Sequence, residues 1–548
     1  MLTSQTAAVR WVICVIVWWC AIDAGWSVCA ADGQALHDPT RRFLRVGVHV
    51  SEMGQLDPHF AAASQDRMLA DMVFNGLLRY APGRAPVIEP DLAQTMPEFE
   101  MIDGKQVWTV KLRRGVMFHA GPNTPAYELT AADVIYSLQK SASRTFCSYA
   151  GEYEGLTVEP VGPYTLNIIL DHPLSAILFF SKLTDYAGGF IVSKRAITAM
   201  GYERFKKHPV GTGPFQFTRY SPGQEVVLSA HDAYFRGRPQ LAGVNIHFVP
   251  DDDARTLALK QGQLDVIMAS GEKGWVEKMA LEPGLVVDPH GVGEVATIFF
   301  NTSIKPLDDV RVRRALVLAL DRQAFLDTTS KAFVGNVYSP VPDSFLPGGI
   351  TRDMAARLGL MCGQDLEKAR QLLAQAGYPH GFTLELVTSE KRLYRTYYEE
   401  MSRQLARIGV DCRIAVVTHS RMHRQIRQEP KPIVIYVAWR PNADAYLSRF
   451  FHSNAIIVSG SSPDTNFSHY DKIDRLIEGA RLAVDPNAQI SLWQQAQIRI
   501  LHDVAAYPIM YTKQCYVRQE AVDYGHPLVN TMALYPQFTE NTRLPPIP

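Results

Sequence analysis

The chain of 548 residues is longer than one hydrophobic core usually supports, so we expect two or more core-bearing units. Lys and Arg together number 55, as do Asp and Glu, and 47% of the residues are hydrophobic. This composition is typical of a folded globular protein. It lacks the basic excess of a nucleic-acid-binding protein, so no nucleic-acid partner is predicted.

The chain begins with an apolar run, Trp11 to Ile22, which is preceded by a single positive charge at Arg10. The run is too short to span a bilayer comfortably, and Val28-Cys29-Ala30 resembles a signal-peptidase site. We therefore predict a signal peptide over residues 1–30, cleaved near Ala30, and a secreted mature chain. The weak positive region leaves an N-terminal membrane anchor open as the alternative.

Cysteines beyond this leader indicate no site. They are Cys147, Cys362, Cys412 and Cys515, which permit three different full pairings in an oxidising compartment. Their wide spacing excludes a C-x-x-C redox or zinc motif. We assign them no function, and we predict no cofactor and no bound metal.

Short β-like runs alternate with amphipathic helical runs along the mature chain, which predicts an α/β fold. The predicted strands are Phe43–Val50, Val107–Arg113, Tyr164–Leu170, Val244–Val249, Phe382–Thr388 and Pro432–Trp439. Within the last strand, residues 433–437 are apolar throughout, as expected for a strand covered on both faces.

Helix signals stand between these strands. A capping-box pair, Thr130 and Asp133, opens one predicted helix, and Asp365 caps another that ends before Gly377. A third predicted helix begins near Asp309; its apolar residues recur at helical spacing, so we expect its arginines to face outward. Apolar residues from Ile473 onward mark a fourth.

Several sequence blocks follow one another in a recognisable order. They are Leu56-Asp57-Pro58 with Phe74 to Tyr80, Trp108 to His119 with Leu129 to Ser137, Pro209 to Phe215 with Tyr234 to Pro239, Phe300-Asn301 and Pro306 to Ala315 with Asp321-Arg322, and Lys368 to Leu373 with Ala376 to Pro379. In this order they resemble the extracytoplasmic solute-binding proteins of family 5, which bind peptides, opines and nickel chelates.

The resemblance implies a two-lobed α/β fold like that of periplasmic binding proteins, with an extra subdomain in lobe I and a hinge between the lobes. Its implied boundaries are 31–296 for lobe I, with the inserted subdomain roughly at 75–205, 297–506 for lobe II, and 507–548 for a C-terminal return to lobe I. The chain would cross between the lobes near Val295 to Asn301 and near Ala505 to Thr512.

The resemblance also implies a function. A family member would be the monomeric, periplasmic substrate-binding component of an ABC importer, capturing a peptide or peptide-like solute and delivering it to an inner-membrane permease. Because one fold serves many ligands, an opine, an oligosaccharide or a metal chelate remains the alternative.

Two rival functions come from other classes. A hydrolase of small peptides would be an enzyme, but the chain carries no H-E-x-x-H, G-x-S-x-G or P-loop motif, and we predict no enzymatic activity. Direct metal capture would rest on His419 and His423, which are four residues apart but lack a third ligand in the sequence.

Two loops follow predicted strands of lobe II, at the end of a sheet where ligands bind in α/β folds. In the peptide-binding members that the chain resembles, an Arg in the first loop holds the ligand carboxylate. Arg392 is the candidate here, with Arg395 as its competitor. A solvated arginine at the start of a helix is the other interpretation of Arg392.

The second loop follows Trp439, which could form a stacking wall for the ligand or belong to the core. Family members place an Asp three residues after this Trp for the ligand amino group, but this chain has Asn442 there. Asn carries no charge to balance an ammonium. We therefore expect poor recognition of a free α-amino group unless Asp444 takes that role; Asp444 could equally cap a turn or a helix.

Overall fold

The computed structural model describes residues 41–545 except 85, 186–187, 270–271, 345, 362, 529–532 and 534. The predicted signal peptide and Cys362 therefore lie outside the described residues. Within the described part of the chain, no helix has both the length and the apolar character needed to cross a membrane.

Strands and helices alternate through the first part of the chain. They are β1 (Phe43–Val48), α1 (Ser64–Val73), β2 (Leu78–Tyr80), β3 (Ile88–Pro90), β4 (Glu98–Ile102), β5 (Lys105–Lys111), β6 (Met117–Phe118), β7 (Tyr127–Glu128), α2 (Ala131–Ser141), β8 (Leu156–Gly162), β9 (Thr165–Leu170), α3 (Ala176–Lys182), α4 (Lys194–Met200), α5 (Tyr202–Phe205), β10 (Phe215–Ser221), β11 (Glu225–Ala230), β12 (Gly243–Phe248), α6 (Asp252–Lys260), β13 (Val266–Ala269), α7 (Lys273–Met279) and β14 (Leu285–Phe300).

The second part of the chain is richer in helices. Its elements are α8 (Val310–Ala319), α9 (Arg322–Leu326), β15 (Val334–Gly335), α10 (Arg352–Arg357), α11 (Leu366–Gln375), β16 (Phe382–Ser389), α12 (Arg392–Leu405), β17 (Val410–Val417), α13 (His419–Gln428), β18 (Ile433–Ala438), α14 (Ala443–Phe451), α15 (Asp474–Leu482), α16 (Pro486–His502) and β19 (Ala506–Gln519).

The predicted strands and helices are all present, with ends shifted by a residue or two. Local chemistry explains the helix starts. The Thr130 and Asp133 capping box forms at α2, and the Asp365 side chain accepts a hydrogen bond from the Lys368 amide at 2.9 Å to cap α11. The outward prediction for the arginines of α8 is wrong for Arg313, whose guanidinium is buried and donates to the carbonyl oxygens of Leu307 and Asp503.

The main sheet has the strand order β10-β11-β12-β1-β13-β19-β14-β18, and β15 also pairs with β19. Strand β1 is parallel to β12 and β13, whereas the long strands β14 and β19 are antiparallel to each other. Smaller sheets are formed by β4-β5-β9-β8, by β16-β17, by β2-β3 and by β6-β7.

Separate apolar cores lie along this sheet and define two lobes. Lobe I has a core around β1 and β10 to β12, which includes Val46 and Ile246, and a second core between Leu77 and Ile191 in which Trp108 stacks on Phe179. Lobe II has cores on both faces of β14 and β18, and Tyr80 and Leu178 of lobe I pack into one of them. Residues 433–437 alternate between these two cores, which confirms the prediction of a strand covered on both faces.

Strands β14 and β19 carry the chain between the lobes, because β19 pairs with β13 of lobe I and β14 pairs with β18 of lobe II. The predicted crossing segments, Val295 to Asn301 and Ala505 to Thr512, overlap the end of β14 and the start of β19, and the lobe boundaries stay a prediction. Pairing shifts between His290 and Glu294, where Gly291 and Gly293 have φ values of 89° and 78°. Since this left-handed region favours glycine, the two residues explain the irregularity at this point; a second shift falls between Ala296 and Thr297.

Candidate ligand-binding site

A cleft with a volume of about 810 Å³ opens between residues 148–182 of lobe I and residues 441–481 of lobe II. We call it the interlobe cleft. Its size is within the usual range for small-molecule sites. Its charged lining consists of the carboxylates of Glu152, Glu154, Asp171, Asp444 and Asp464 and the cations of Lys182, Arg449 and Arg481.

The start of α14 places Asn442 and Asp444 on the interlobe cleft, so the structure brings these two predicted residues together. Asn442 is the N-cap residue, and its Oδ1 accepts a hydrogen bond from the Ala445 amide at 2.8 Å. Its Nδ2 donates no hydrogen bond to any described residue. Asn442 therefore has a donor to offer a ligand, while its oxygen already accepts one hydrogen bond and brings no charge to balance an ammonium.

Asp444 is already paired with a cation. Its Oδ1 lies 2.9 Å from Nε of Arg481, and Nη2 of Arg481 also donates to Ser448 Oγ at 2.6 Å. The Asp444 side chain is 16% exposed. Because Arg481 compensates its charge, Asp444 in this arrangement is a weak partner for a ligand ammonium.

Two contacts connect the lobes at the interlobe cleft. Arg449 Nη2 of lobe II lies 3.4 Å from Glu152 Oε1 of lobe I, and its Nη1 lies 3.6 Å from Asp464. Ser175, which caps α3, donates to Gln489 Oε1 at 2.6 Å in a buried position. The buried hydrogen bond contributes about 1 kcal/mol and the half-exposed ion pair about as much or less, so neither polar contact is strong by itself.

Trp439 directly follows β18 and is 8% exposed. The Arg67 guanidinium carbon, from α1 of lobe I, lies 5.7 Å from its ring centroid. Trp439 also packs in a core of lobe II, and it precedes by two and three positions Pro441 and Asn442, which line the interlobe cleft. Its position at the lobe boundary suits a stacking wall, which stays a prediction.

Arg392 and Arg395 lie away from the interlobe cleft, at the start of α12. The Arg392 side chain is 74% exposed, and its Nη1 forms an ion pair with Glu272 Oε1 at 2.5 Å, which joins lobe II to lobe I. Arg395 pairs with Glu399 one turn along the helix at 3.2 Å. The ligand-binding role of Arg392 stays a prediction.

Other charged residues of the cleft were not predicted from the sequence. Lys182 at the end of α3 donates to the Glu152 carbonyl oxygen at 2.5 Å, and burial lowers the pKa of its ammonium group. Glu152, Arg449 and Arg481 belong to no motif. No spacing in the sequence links the segment around Glu152 to that around Arg449, since they meet only in the folded chain.

His419 and His423, the sequence candidates for metal capture, bond to each other on α13 with their Nε2 atoms 3.1 Å apart. Arg427 donates to His423 Nδ1, so His423 donates through Nε2 to His419, which in turn donates through Nδ1 to Ser389 Oγ. Both imidazoles are thus used by protein partners. Within the described ranges, no group of three or more His, Cys, Asp or Glu side chains is arranged to hold a metal ion.

A charged cleft between two lobes that are joined by long strands is the architecture of a protein that closes on a small solute. Residues 87–456 match the family model of bacterial extracellular solute-binding proteins, family 5, and the chain belongs to this family. It is therefore a solute-binding protein, as its sequence predicts.

Curated relatives and solved structures agree with this assignment. The chain is 28% identical over 465 residues to heme-binding protein A of Haemophilus influenzae, covering 80% of this chain and 81% of that protein. It is 27% identical over 459 residues to the dipeptide-binding protein of Escherichia coli, covering 79% and 82%.

Among solved structures, the MoaA protein of A. tumefaciens R10 in complex with mannopinic acid has a TM-score of 0.76 and 33% identity, covering 92% of this chain and all 100% of that one. HbpA2 from Haemophilus parasuis has a TM-score of 0.74 and 25% identity, with coverage of 92% and 100%. These matches confirm the predicted two-lobed α/β fold class.

Proposed function

We propose that the chain is the periplasmic substrate-binding component of an ABC importer, which captures a small amino-acid-derived solute between its lobes and delivers it to a membrane permease. The observation that carries this proposal is the interlobe cleft, whose lining combines both signs of charge from both lobes. A relative named for dipeptide binding and an ABC transporter-associated protein of the same fold, DppA from Helicobacter pylori in complex with the peptide STSA, support it.

The proposed lobe boundaries are those of the sequence: 31–296 with an inserted subdomain at roughly 75–205, 297–506, and a return at 507–548. The crossing of β14 and β19 and the separate core between Leu77 and Ile191 support this division. We place the hinge at Gly291 and Gly293, where the strand pairing shifts. The protein would act as a monomer and without catalysis, releasing its ligand unchanged.

Two ligand classes fit the cleft, and the site chemistry favours an opine-like conjugate over an ordinary peptide. A peptide and an opine both carry a protonated amine, which Asn442 and the Arg481-paired Asp444 receive poorly, so the rest of the ligand distinguishes the two classes. An opine such as mannopinic acid joins an amino acid through its nitrogen to a sugar alcohol, whose hydroxyls can accept from the Asn442 amide. The match to the mannopinic-acid complex supports this choice.

The remaining predicted site residues have defined roles in this proposal. Trp439 would form an apolar wall, Asn442 would donate to a ligand oxygen, and Asp444 would hold Arg481 in place at the cleft. Arg392 would reach the ligand carboxylate only after leaving Glu272, so its contribution should be small.

Thermal denaturation against a solute library tests the proposal. The library holds mannopinic acid, di- to tetrapeptides, oligosaccharides and metal chelates. A solute that binds only the folded protein at a hundredfold excess over its Kd adds about 2.7 kcal/mol of stability and raises the midpoint. A shift with mannopinic acid or peptides supports the proposal, whereas shifts with none of the solutes would contradict it. Mass spectrometry of the recovered solute distinguishes binding from hydrolysis.

A further inference from the structure

Arg440 is a half-buried arginine that uses little of its hydrogen-bonding capacity. It follows Trp439, in the loop between β18 and α14. Its Nη1 donates to the Trp439 carbonyl oxygen at 2.8 Å, and its guanidinium carbon lies 4.7 Å from the centroid of the Phe450 ring. Its Nε is sealed from solvent and has no acceptor among the described residues. Of the five N–H groups of a guanidinium, one is therefore used.

Arg440 also forms no ion pair with any described residue, unlike the other cations nearby. Arg449 pairs with Glu152 and Asp464, and Arg481 pairs with Asp444. Burial lowers the pKa of the Arg440 guanidinium, and the positive charge of Arg449 lowers it further. A charge that is withdrawn from water without a partner destabilises a fold. Arg440 directly follows Trp439, on which Arg67 of lobe I packs, and this position points to a partner from outside the chain.

Glu294 is the complementary case on the neighbouring strand. In the pairing of β14 with β18, Val295 stands opposite Ala438, so Glu294 and Trp439 are the next residues on the two strands, and Arg440 follows. Glu294 is half-buried, and its Oε2 accepts a hydrogen bond from Gln514 Nε2 at 3.1 Å. It forms no ion pair within the described part of the chain. Burial raises the pKa of the Glu294 carboxyl, and the hydrogen bond from Gln514 and the charge of Arg440 oppose this shift.

We infer that Arg440 and Glu294 hold the two charged groups of a zwitterionic solute, Arg440 the carboxylate and Glu294 the protonated amine. This inference rests on the proposed solute-binding function and places the charged anchors next to the lining of the interlobe cleft, since Arg440 directly precedes Pro441 and Asn442. The two opposite charges follow a paired strand position but do not pair with each other, so each can be completed by one charged group of a ligand. The pair also explains why Asn442 and Asp444 need no free charge, since the charged contacts lie one step back along the strands.

Isothermal titration calorimetry tests the inference with two probes, mannopinic acid and the dipeptide Met-Leu, on the wild-type protein and on Arg440→Gln and Glu294→Gln. Removing one partner of a buried charge pair should weaken binding roughly 30-fold or more. Arg413→Gln is the matched control, because Arg413 is an exposed arginine of the same lobe that pairs with Glu385 and Asp411. The control should bind as the wild type does.

Modified probes assign each charge to its residue. The C-terminal amide of Met-Leu should bind the wild type weakly, and Arg440→Gln should no longer distinguish the amide from the free acid. N-acetyl-Met-Leu, which lacks the charged amine, should bind the wild type weakly, and Glu294→Gln should no longer distinguish it from Met-Leu. Because the comparison of acid, amide and acetylated probes on the wild type needs no variant, it stays informative even if a variant fails to fold.

The outcomes separate this inference from the proposed function. If the wild type binds a zwitterionic probe and Arg440→Gln binds it equally well, or if Arg392→Gln alone abolishes binding, the inference is wrong and the proposed function stands. If only oligosaccharides or chelates bind, the inference also fails while solute binding stands. If no solute in the library binds, both fail.

Discussion

Lys140 and Asp57 form an ion pair that is almost completely shielded from solvent, with Nζ 2.9 Å from Oδ2 and the side chains 3% and 0% exposed. Lys140 also donates to His59 Nδ1 and to the Phe146 carbonyl oxygen, both at 3.0 Å, and the Tyr202 hydroxyl donates to the same Asp57 Oδ2 at 2.9 Å. These bonds tie α2 to the segment before α1 in lobe I.

Replacing Lys140 should therefore be severe. Lys140→Met leaves the Asp57 carboxylate buried and unpaired, which should lower the free energy of unfolding by about 3–5 kcal/mol in urea titration. Arg144→Gln is the control, because the Arg144–Glu154 pair has side chains 79% and 53% exposed; it should change stability by less than about 1 kcal/mol. Equal losses in the two variants would contradict this account of the buried pair.

Gly293 should resist substitution for a reason separate from its backbone angle. A Cβ built there meets the Thr512 carbonyl oxygen at 2.8 Å, and φ is 78°. Gly104 has nearly the same φ, 77°, but no described atom lies within 4 Å of its Cβ position. Both alanine variants should lose about 1 kcal/mol through backbone strain, and Gly293→Ala should lose more. If urea denaturation shows equal losses in the two variants, the contact between the added Cβ and β19 does not contribute to the loss.

His290 should make the fold sensitive to acid. It is fully buried, and neither ring nitrogen has a hydrogen-bond partner among the described residues. Burial, followed by the charges of His526 and Arg518, lowers its pKa from 6.5 to about 3. Below about pH 6.5, His290 is therefore protonated in the unfolded chain, but in the folded chain it stays neutral down to about pH 3. The contribution of His290 to the free energy of unfolding is complete above about pH 6.5. It falls by about 1 kcal/mol per pH unit as the pH drops from there toward about pH 3.

The variant His290→Phe should be tolerated, because the ring packs edge-on against Tyr516 and Tyr524 at centroid distances of 5.4 and 5.7 Å. It should flatten the decline of the melting temperature between about pH 6.5 and pH 4. Some decline should persist, since burial also lowers the pKa of His59 and of His119 to about 3. The exposed His380→Phe variant is the control, and a slope unchanged by His290→Phe would exclude His290 as a source of the acid sensitivity.

If Glu294 binds a protonated amine, the affinity should depend on pH. Burial raises the pKa of Glu294, and Arg440 opposes this shift. Its other neighbours are Gln514, Tyr394 and Tyr397; burial raises the pKa of both tyrosines, so they stay neutral. Acid should protonate Glu294 and weaken the binding of Met-Leu or mannopinic acid. Calorimetry should therefore show the affinity increase from about pH 5 to about pH 8. A Glu294→Gln protein with the same pH profile would refute the role of Glu294.

Local signals in the sequence were sufficient for most elements of this fold. Thr130 and Asp365 cap helices through bonds that span three residues, and the apolar run 433–437 follows from burial of both strand faces. Arg313 shows where such signals fail. Helical periodicity placed it outside, but carbonyl oxygens of Leu307 and Asp503 surround it, and the second of these comes from 190 positions away.

For the candidate site, too, the sequence predicted one part and not the other. Its loop after Trp439 was predictable, because ligands collect at the ends of strands. The partner of each charge was not: Glu152 meets Arg449 across 297 positions, and Arg481 neutralises Asp444 from another helix. Whether an acidic or basic side chain is available to a ligand depends on these long-range pairings, which no spacing in one sequence reveals.

The position of β19 has a consequence for how the chain matures. This strand lies between β13 and β14 in the main sheet, although it is the last strand described along the chain. During synthesis from the N-terminus, the edges of β13 and β14 that pair with β19 stay unpaired until residues 506–519 have been made. Lobe I therefore cannot finish folding before lobe II has been made, and a nascent chain that stops before residue 506 exposes two unpaired strand edges of the kind that chaperones recognise.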